Sequence, residues 1–127
     1  MDVDSVRHFC LSFPQAKEKL QWGENLCFKV GGKIFAILNL GSVPQSVCFK
    51  CDPERFGELL EIEGVVAAPY LGRYKWVLVE RLDALRDEEL EELLGKSYRM
   101  VADKLPRPKR TTGKKSRKAN KQSKKTR

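Results

Sequence analysis

Few residues in this chain are placed to do chemistry. Cys48-Phe49-Lys50-Cys51 has the spacing of a metal or redox pair, and Cys10 and Cys27 complete the four cysteines. A structural zinc site needs four ligands. The chain has no second Cys-x-x-Cys, and His8 is its single histidine. The pair also lies in a segment of strand character, where residues three apart point to opposite faces and the two sulfurs diverge. No metal is expected. Cys51 stands just before a helix start, a position that can stabilise a thiolate. A redox or enzymatic use of Cys51 is therefore one reading, and an inert thiol at a strand end is the plainer one. No catalytic set assembles elsewhere. His8 has no partnering nucleophile, Glu88, Glu89, Glu91 and Glu92 read as a solvated helix face, and Gly31-Gly32 fits neither phosphate-loop pattern. The chain is expected to be no enzyme and to carry no cofactor.

Binding is better supplied. Lys29, Lys33, Lys50, Arg73 and Lys75 are candidate phosphate contacts, with solvated surface charge as the ordinary alternative. Trp22, Tyr70, Tyr74 and Trp76 are candidate stacking residues, although aromatics more often fill cores. The charge distribution is lopsided. Residues 1–104 hold 14 Lys and Arg against 17 Asp and Glu, a net −3, whereas residues 105–127 hold 11 Lys and Arg and no acid, a net +11. Arg107, Lys109, Arg110, Lys114, Lys115, Arg117 and Lys118 lead this basic stretch. Such a segment binds polyanions at low salt almost regardless of their sequence. Without an aromatic it has little means of reading bases.

The elements that must position these groups follow from periodicity. Val6, Phe9, Cys10 and Phe13 form one helical stripe over 2–13, with Asp2 or Asp4 as cap and Pro14 as stop. Residues 16–22 alternate weakly, as an edge strand would. Leu26–Val30 and Lys33–Leu40 flank Gly31-Gly32, a pair suited to a type I′ hairpin turn. An ideal hairpin there puts Phe28 opposite Phe35 and Leu26 opposite Ile37. Those four would form a core face, leaving Cys27, Lys29, Ile34, Ala36 and Leu38 on a mixed face. Ser46–Cys51 is a further strand, and Asp52-Pro53-Glu54 starts a helix that Gly64 stops. Val65–Ala68 and Lys75–Glu80 are strands. Leu90, Leu93, Leu94, Tyr98 and Val101 stripe a final helix whose acidic start and basic end suit its dipole.

Pro106 and Pro108 end the domain. From Arg107 to Arg127 the only aliphatic residue is Ala119, too little to bury a core, so a disordered tail over 106–127 is expected after an α+β domain over 1–105. No run of 18 apolar residues spans a membrane, and MDVDSVRHF lacks the apolar core of a signal peptide. A cytoplasmic protein with reduced thiols is expected.

The succession WGENLCFKVGGKIFAIL, KCDPERF, APYLGRYKWVLVE and LLGKSYRMVADKLP resembles the MmcQ/YjbR family from about Val3 to Pro106. The resemblance implies a two-layer α+β fold, an antiparallel sheet with helices packed on one face, of the CyaY-like or secretion-chaperone-like kind, with a double-wing motif. It also implies DNA binding, with no catalytic residues to transfer. The shared motifs cover Trp22 and Gly23, the Lys29–Phe35 hairpin, and Lys75-Trp76. Where the family often has Pro before the first Trp and His before the second, this chain has Gln21 and Lys75. The leading expectation is a protein that binds DNA, or RNA, through its tail and its sheet or loop face. The alternative is a protein-interaction or chaperone-like module using the open sheet face, with a protein partner or a second copy as its target.

Overall fold

The computed structural model describes residues 1–105; the tail expected over 106–127 lies outside the described residues. Its elements run α1 (Val3–Leu11), β1 (Lys17–Gln21), β2 (Asn25–Val30), β3 (Lys33–Asn39), β4 (Ser46–Lys50), α2 (Pro53–Leu59), β5 (Val65–Ala67), β6 (Trp76–Val79) and α3 (Asp87–Ala102). The six strands form one antiparallel sheet in the order β1-β2-β3-β4-β6-β5. Because β4 and β5 both run antiparallel to β6, they are parallel to each other. They therefore need a crossover, which α2 provides. The α+β architecture read from the sequence is the one observed. No helix among the described residues is long and apolar enough to cross a membrane.

Helix ends fall where the cap chemistry puts them. The Asp2 carboxylate accepts the Ser5 N–H at 2.8 Å, and Asp52 accepts the Glu54 N–H at 3.0 Å ahead of Pro53. These caps satisfy amides that have no intrahelical partner. Val6 and Cys10 of α1, Leu59 of α2, and Leu90, Leu93 and Leu94 of α3 are buried in one core against Phe28, Leu38, Val47, Phe49, Val77 and Val79 of the sheet. All three helices thus cover the same face. Burying each such aliphatic side chain is worth about 1.5–3 kcal/mol.

The β2–β3 register departs from the ideal hairpin. Val30 pairs with Lys33 and Lys29 with Ile34, but Phe28 then pairs with Ala36, Cys27 with Ile37 and Leu26 with Leu38. Phe35 is the extra residue of a β-bulge, so Phe35 and Ala36 together oppose Phe28. Every residue of β3 after the bulge is turned over relative to the expected pattern. Ala36 and Leu38 join the core, fully buried, and Ile37 moves to the opposite face, partly buried. A two-glycine turn fixes pairing only beside the turn, and a bulge three residues away resets it. Ser97 of α3 explains why the bulge is tolerated. Its hydroxyl donates to the Phe35 carbonyl at 2.6 Å and accepts the Lys50 N–H at 3.0 Å, bridging β3 and β4 beyond their last paired residues. The Phe35 ring enters an aromatic cluster: Tyr98 lies edge-on at 5.3 Å and itself stacks on Phe13 at 4.6 Å.

Candidate nucleic-acid interface

The side chains of the sheet face away from the helices come from alternate residues of each strand. The core side chains Phe28, Val30, Val47, Phe49, Val77 and Val79 fix the parity. One row across the sheet is Lys19, Cys27, Ile37, Cys48, Leu78 and Val66, each paired with the next. A second row toward the β2–β3 hairpin is Lys17, Lys29 and Ile34, continuing to Lys50 and Trp76 at the matching ends of β4 and β6. A third row at the other end is Gln21, Asn25, Asn39 and Ser46. None of Ile34, Ile37, Trp76 and Leu78 belongs to the core or packs against it. The strand residues of this face include Lys17, Lys19, Lys29 and Lys50 and no Asp or Glu.

Most of the expected body residues converge on one end of the sheet. Lys29 and Lys33 flank the hairpin turn, Lys50 and Trp76 form a cross-strand pair, and Arg73 and Lys75 occupy the β5–β6 connection at that same end. From Lys29 on β2 to Trp76 on β6 is three strand spacings, about 14 Å. Sequence reasoning passed over Lys17, Lys19 and Lys104. The alternation of lysines in Lys17-Glu18-Lys19 would have revealed the first two once β1 was accepted as a strand. Lys104 needs the tertiary fold. Leu105 ends the described chain against the hairpin: a Cβ added to Gly31 would meet a Leu105 methyl at 2.5 Å. Lys104 thereby comes beside Lys50. Partial burial pushes the Lys50 ammonium below its ordinary pKa, and the neighbouring Lys104 pushes it further in the same direction.

Trp22 stands apart. It occupies the β1–β2 turn at the far end of the sheet, 66% exposed and in the left-handed region at φ 49°. The Asn25 side-chain amide donates to its carbonyl at 3.0 Å and holds that turn. Tyr70, 98% exposed, and Lys75 also have left-handed backbone, at φ 66° and 67°. Bulky residues rarely adopt this conformation, and it recurs at functional sites. The Arg73 guanidinium lies 4.9 Å from the Tyr74 ring centre and donates to its hydroxyl at 2.9 Å, while the Lys75 ammonium lies 5.0 Å from the centre of Phe56. Among the described residues the ion pairs engage Arg7, Arg55, Arg81 and the N-terminal amine. Lys29, Lys33, Lys50, Arg73 and Lys75 are in none of them. The expected Arg107, Lys109, Arg110, Lys114, Lys115, Arg117 and Lys118 lie outside the described residues.

The cysteines offer no reactive thiolate. Burial pushes Cys10 and Cys48 up to about 12. Burial also raises Cys51, outweighing the nearby Arg55, and its Sγ lies 3.3 Å from the Asp52 carbonyl as a donor. The helix-start position therefore does not activate it. Among the described residues no group of three or more His, Cys, Asp or Glu could hold a metal. Two surface hollows near the N-terminus, one beside Pro44 and Arg81 and one beside His8 and Glu91, share Asp2 and Asp4 and lie away from the cationic end.

An antiparallel six-stranded sheet, layered by three helices on one face and left uncovered on the other among the described residues, defines a two-layer α+β domain. The YjbR family model matches residues 11–100, and the chain belongs to that family. A solved Deinococcus radiodurans protein with a DUF419 domain is 31% identical, with 80% of this chain and 79% of that one covered at a TM-score of 0.74. A Pseudomonas syringae protein, 18% identical, shares the fold over 80% of this chain and 99% of its own at a TM-score of 0.66. No curated protein matches the chain.

Proposed function

We propose that this protein binds nucleic acid, DNA in the first instance, by gripping phosphates between the cationic end of its sheet and its basic tail. One observation carries the reading. Leu105 seats on the β2–β3 hairpin, so the stretch with net charge +11 begins beside Lys29, Lys33, Lys50 and Lys104. Two phosphate-binding parts joined at one point raise each other's local concentration without any new contact. The hairpin carrying Lys33 and the β5–β6 connection carrying Arg73 serve as the two wings beside the bound strand. The protein acts by binding and not by catalysis. It works in the cytoplasm, where its thiols stay reduced.

The test is fluorescence anisotropy of labelled DNA against the full chain and a chain ending at Leu105, across a range of salt. The full chain should bind with a steep salt dependence, and the shorter chain more weakly but measurably at low salt. If the shorter chain binds nothing at the lowest salt, the body has no part in binding and only a charged tail remains. A second reading, a protein-interaction module, draws on the partly buried Ile34, Ile37 and Leu78, which lie outside the core. It predicts a salt-insensitive protein partner whose binding is abolished by Ile37→Glu.

A further inference from the structure

Acidic residues outnumber basic ones in the body by 17 to 14 over residues 1–104. Yet the strand residues of the open sheet face include no acid; Glu24 and Glu80 lie past the strand ends remote from Lys29 and Lys50, and at the near end Asp52, two residues beyond Lys50, turns its carboxylate to the Glu54 N–H as the cap of α2. The centre of that face is apolar: Ile37, Leu78 and, at one side, Trp76 are partly buried and do not pack on the core, and the small Cys27 and Cys48 are buried beside them. The amides Gln21, Asn25 and Asn39 line its far end.

We propose that this face is a platform for single-stranded nucleic acid. The bases lie on Trp76 and the adjoining aliphatic side chains, and the phosphates meet Lys17, Lys19, Lys29 and Lys50. The inference rests on the nucleic-acid reading above and narrows it. A duplex presents phosphates outward and keeps the faces of its bases stacked inside, so it would satisfy the lysines and leave Trp76, Ile37 and Leu78 against nothing. A single strand offers π-faces and phosphates together, the pairing that sheet platforms use. The Gln21 amide, and the Asn25 and Asn39 amide atoms that the turn hydrogen bonds to Trp22 and Gly41 leave over, can bond base edges that pairing would otherwise occupy. A second copy of the chain fits less well, since a two-fold contact would set lysine-bearing faces against each other.

The experiment uses the full chain carrying Trp22→Phe, which leaves Trp76 as the only indole. Oligo(dT), a duplex of equal phosphate content and inorganic polyphosphate are titrated at one salt concentration, with Trp76 emission and affinity both recorded. The tail contributes to all three, so differences report the face. Oligo(dT) alone should quench Trp76 and should bind about tenfold or more tighter than the duplex. Trp76→Leu should cost about tenfold for oligo(dT) and leave polyphosphate affinity unchanged. Ile37→Ser, which removes apolar surface from the centre of the face without adding charge, provides a second variant with the same expected selectivity. Equal affinity for duplex and single strand without quenching overturns the platform while leaving nucleic-acid binding in place. Absence of binding to either nucleic acid at low salt overturns both. A dimer dispersed by Ile37→Glu, with no quenching by oligo(dT), assigns the face to a second copy and overturns the platform.

Discussion

Ser97 is the residue on which the cationic end depends. It is fully buried and holds two backbone groups, the Phe35 carbonyl and the Lys50 amide, that the ladder between β3 and β4 leaves unpaired. Ser97→Ala strands both and should cost about 1–3 kcal/mol in a urea titration. Ser97→Thr tests whether the hydroxyl alone suffices. Lys104 illustrates the opposite balance. It sits beside Lys50, whose charged form is already disfavoured by burial. Lys104→Gln relieves a like-charge repulsion and should raise the melting temperature slightly while weakening affinity for nucleic acid; a fall in both would show that Lys104 serves the fold. At the buried thiols the direction is set by burial. Cys10 and Cys48 titrate at about 12 in the folded protein against an ordinary 9.0. Protonated thiols favour the fold, so this contribution is complete below about pH 9.0 and diminishes progressively as pH rises toward 12. Thermal melts across that range should show the decline, and Cys48→Ala should flatten it.

At the scale of elements, the β2–β3 hairpin joins fold and function. Gly31 has φ 58° and Gly32 φ 80°, the left-handed pair that a tight hairpin needs. Gly31 also gives Leu105 its seat. Gly31→Ala adds a methyl where Leu105 stands and a Cβ where the backbone disfavours one. It should destabilise the chain by about 1 kcal/mol or more and shift amide signals at both the hairpin and the end of α3. Shifts confined to the hairpin would mean that Leu105 does not seat there. The hairpin itself was legible in the sequence, because two glycines between β-branched and aromatic runs leave little choice. Its bulge was not. Nothing in Lys33-Ile34-Phe35-Ala36 announces that two successive residues face the core; Ser97, distant in sequence, accounts for it.

At the scale of the whole molecule, the described residues end at Leu105 beside the cationic end of the sheet, and the basic stretch follows in sequence. Neutralising tail residues, for instance Lys114→Gln with Lys115→Gln, should reduce the salt slope of duplex binding by up to about 0.9 for each phosphate no longer neutralised. Trp76 variants should leave that slope alone, because stacking releases no counterions. An equal drop in slope from both sets would mean that Trp76 acts only by shaping the cationic end.

The amino-acid sequence by itself determined the kind and order of the elements, through apolar periodicity, caps at Asp2 and Asp52 and glycines at the turn. It also determined the family, through motifs spread over the whole body, and the contrast between an acidic body and a basic tail. These are local or additive properties of the chain. Tertiary structure decided which cations and aromatics share a surface. Lys29, Lys33, Lys50, Arg73, Lys75 and Trp76 came together, and Trp22 went to the opposite end, because strand order and register are set by long-range pairing. The exclusion of acids from the bare face was likewise settled there. Which face a strand residue occupies depends on its parity from the nearest bulge, and a single extra residue, Phe35, exchanged Ile37 for Ala36 and Leu38.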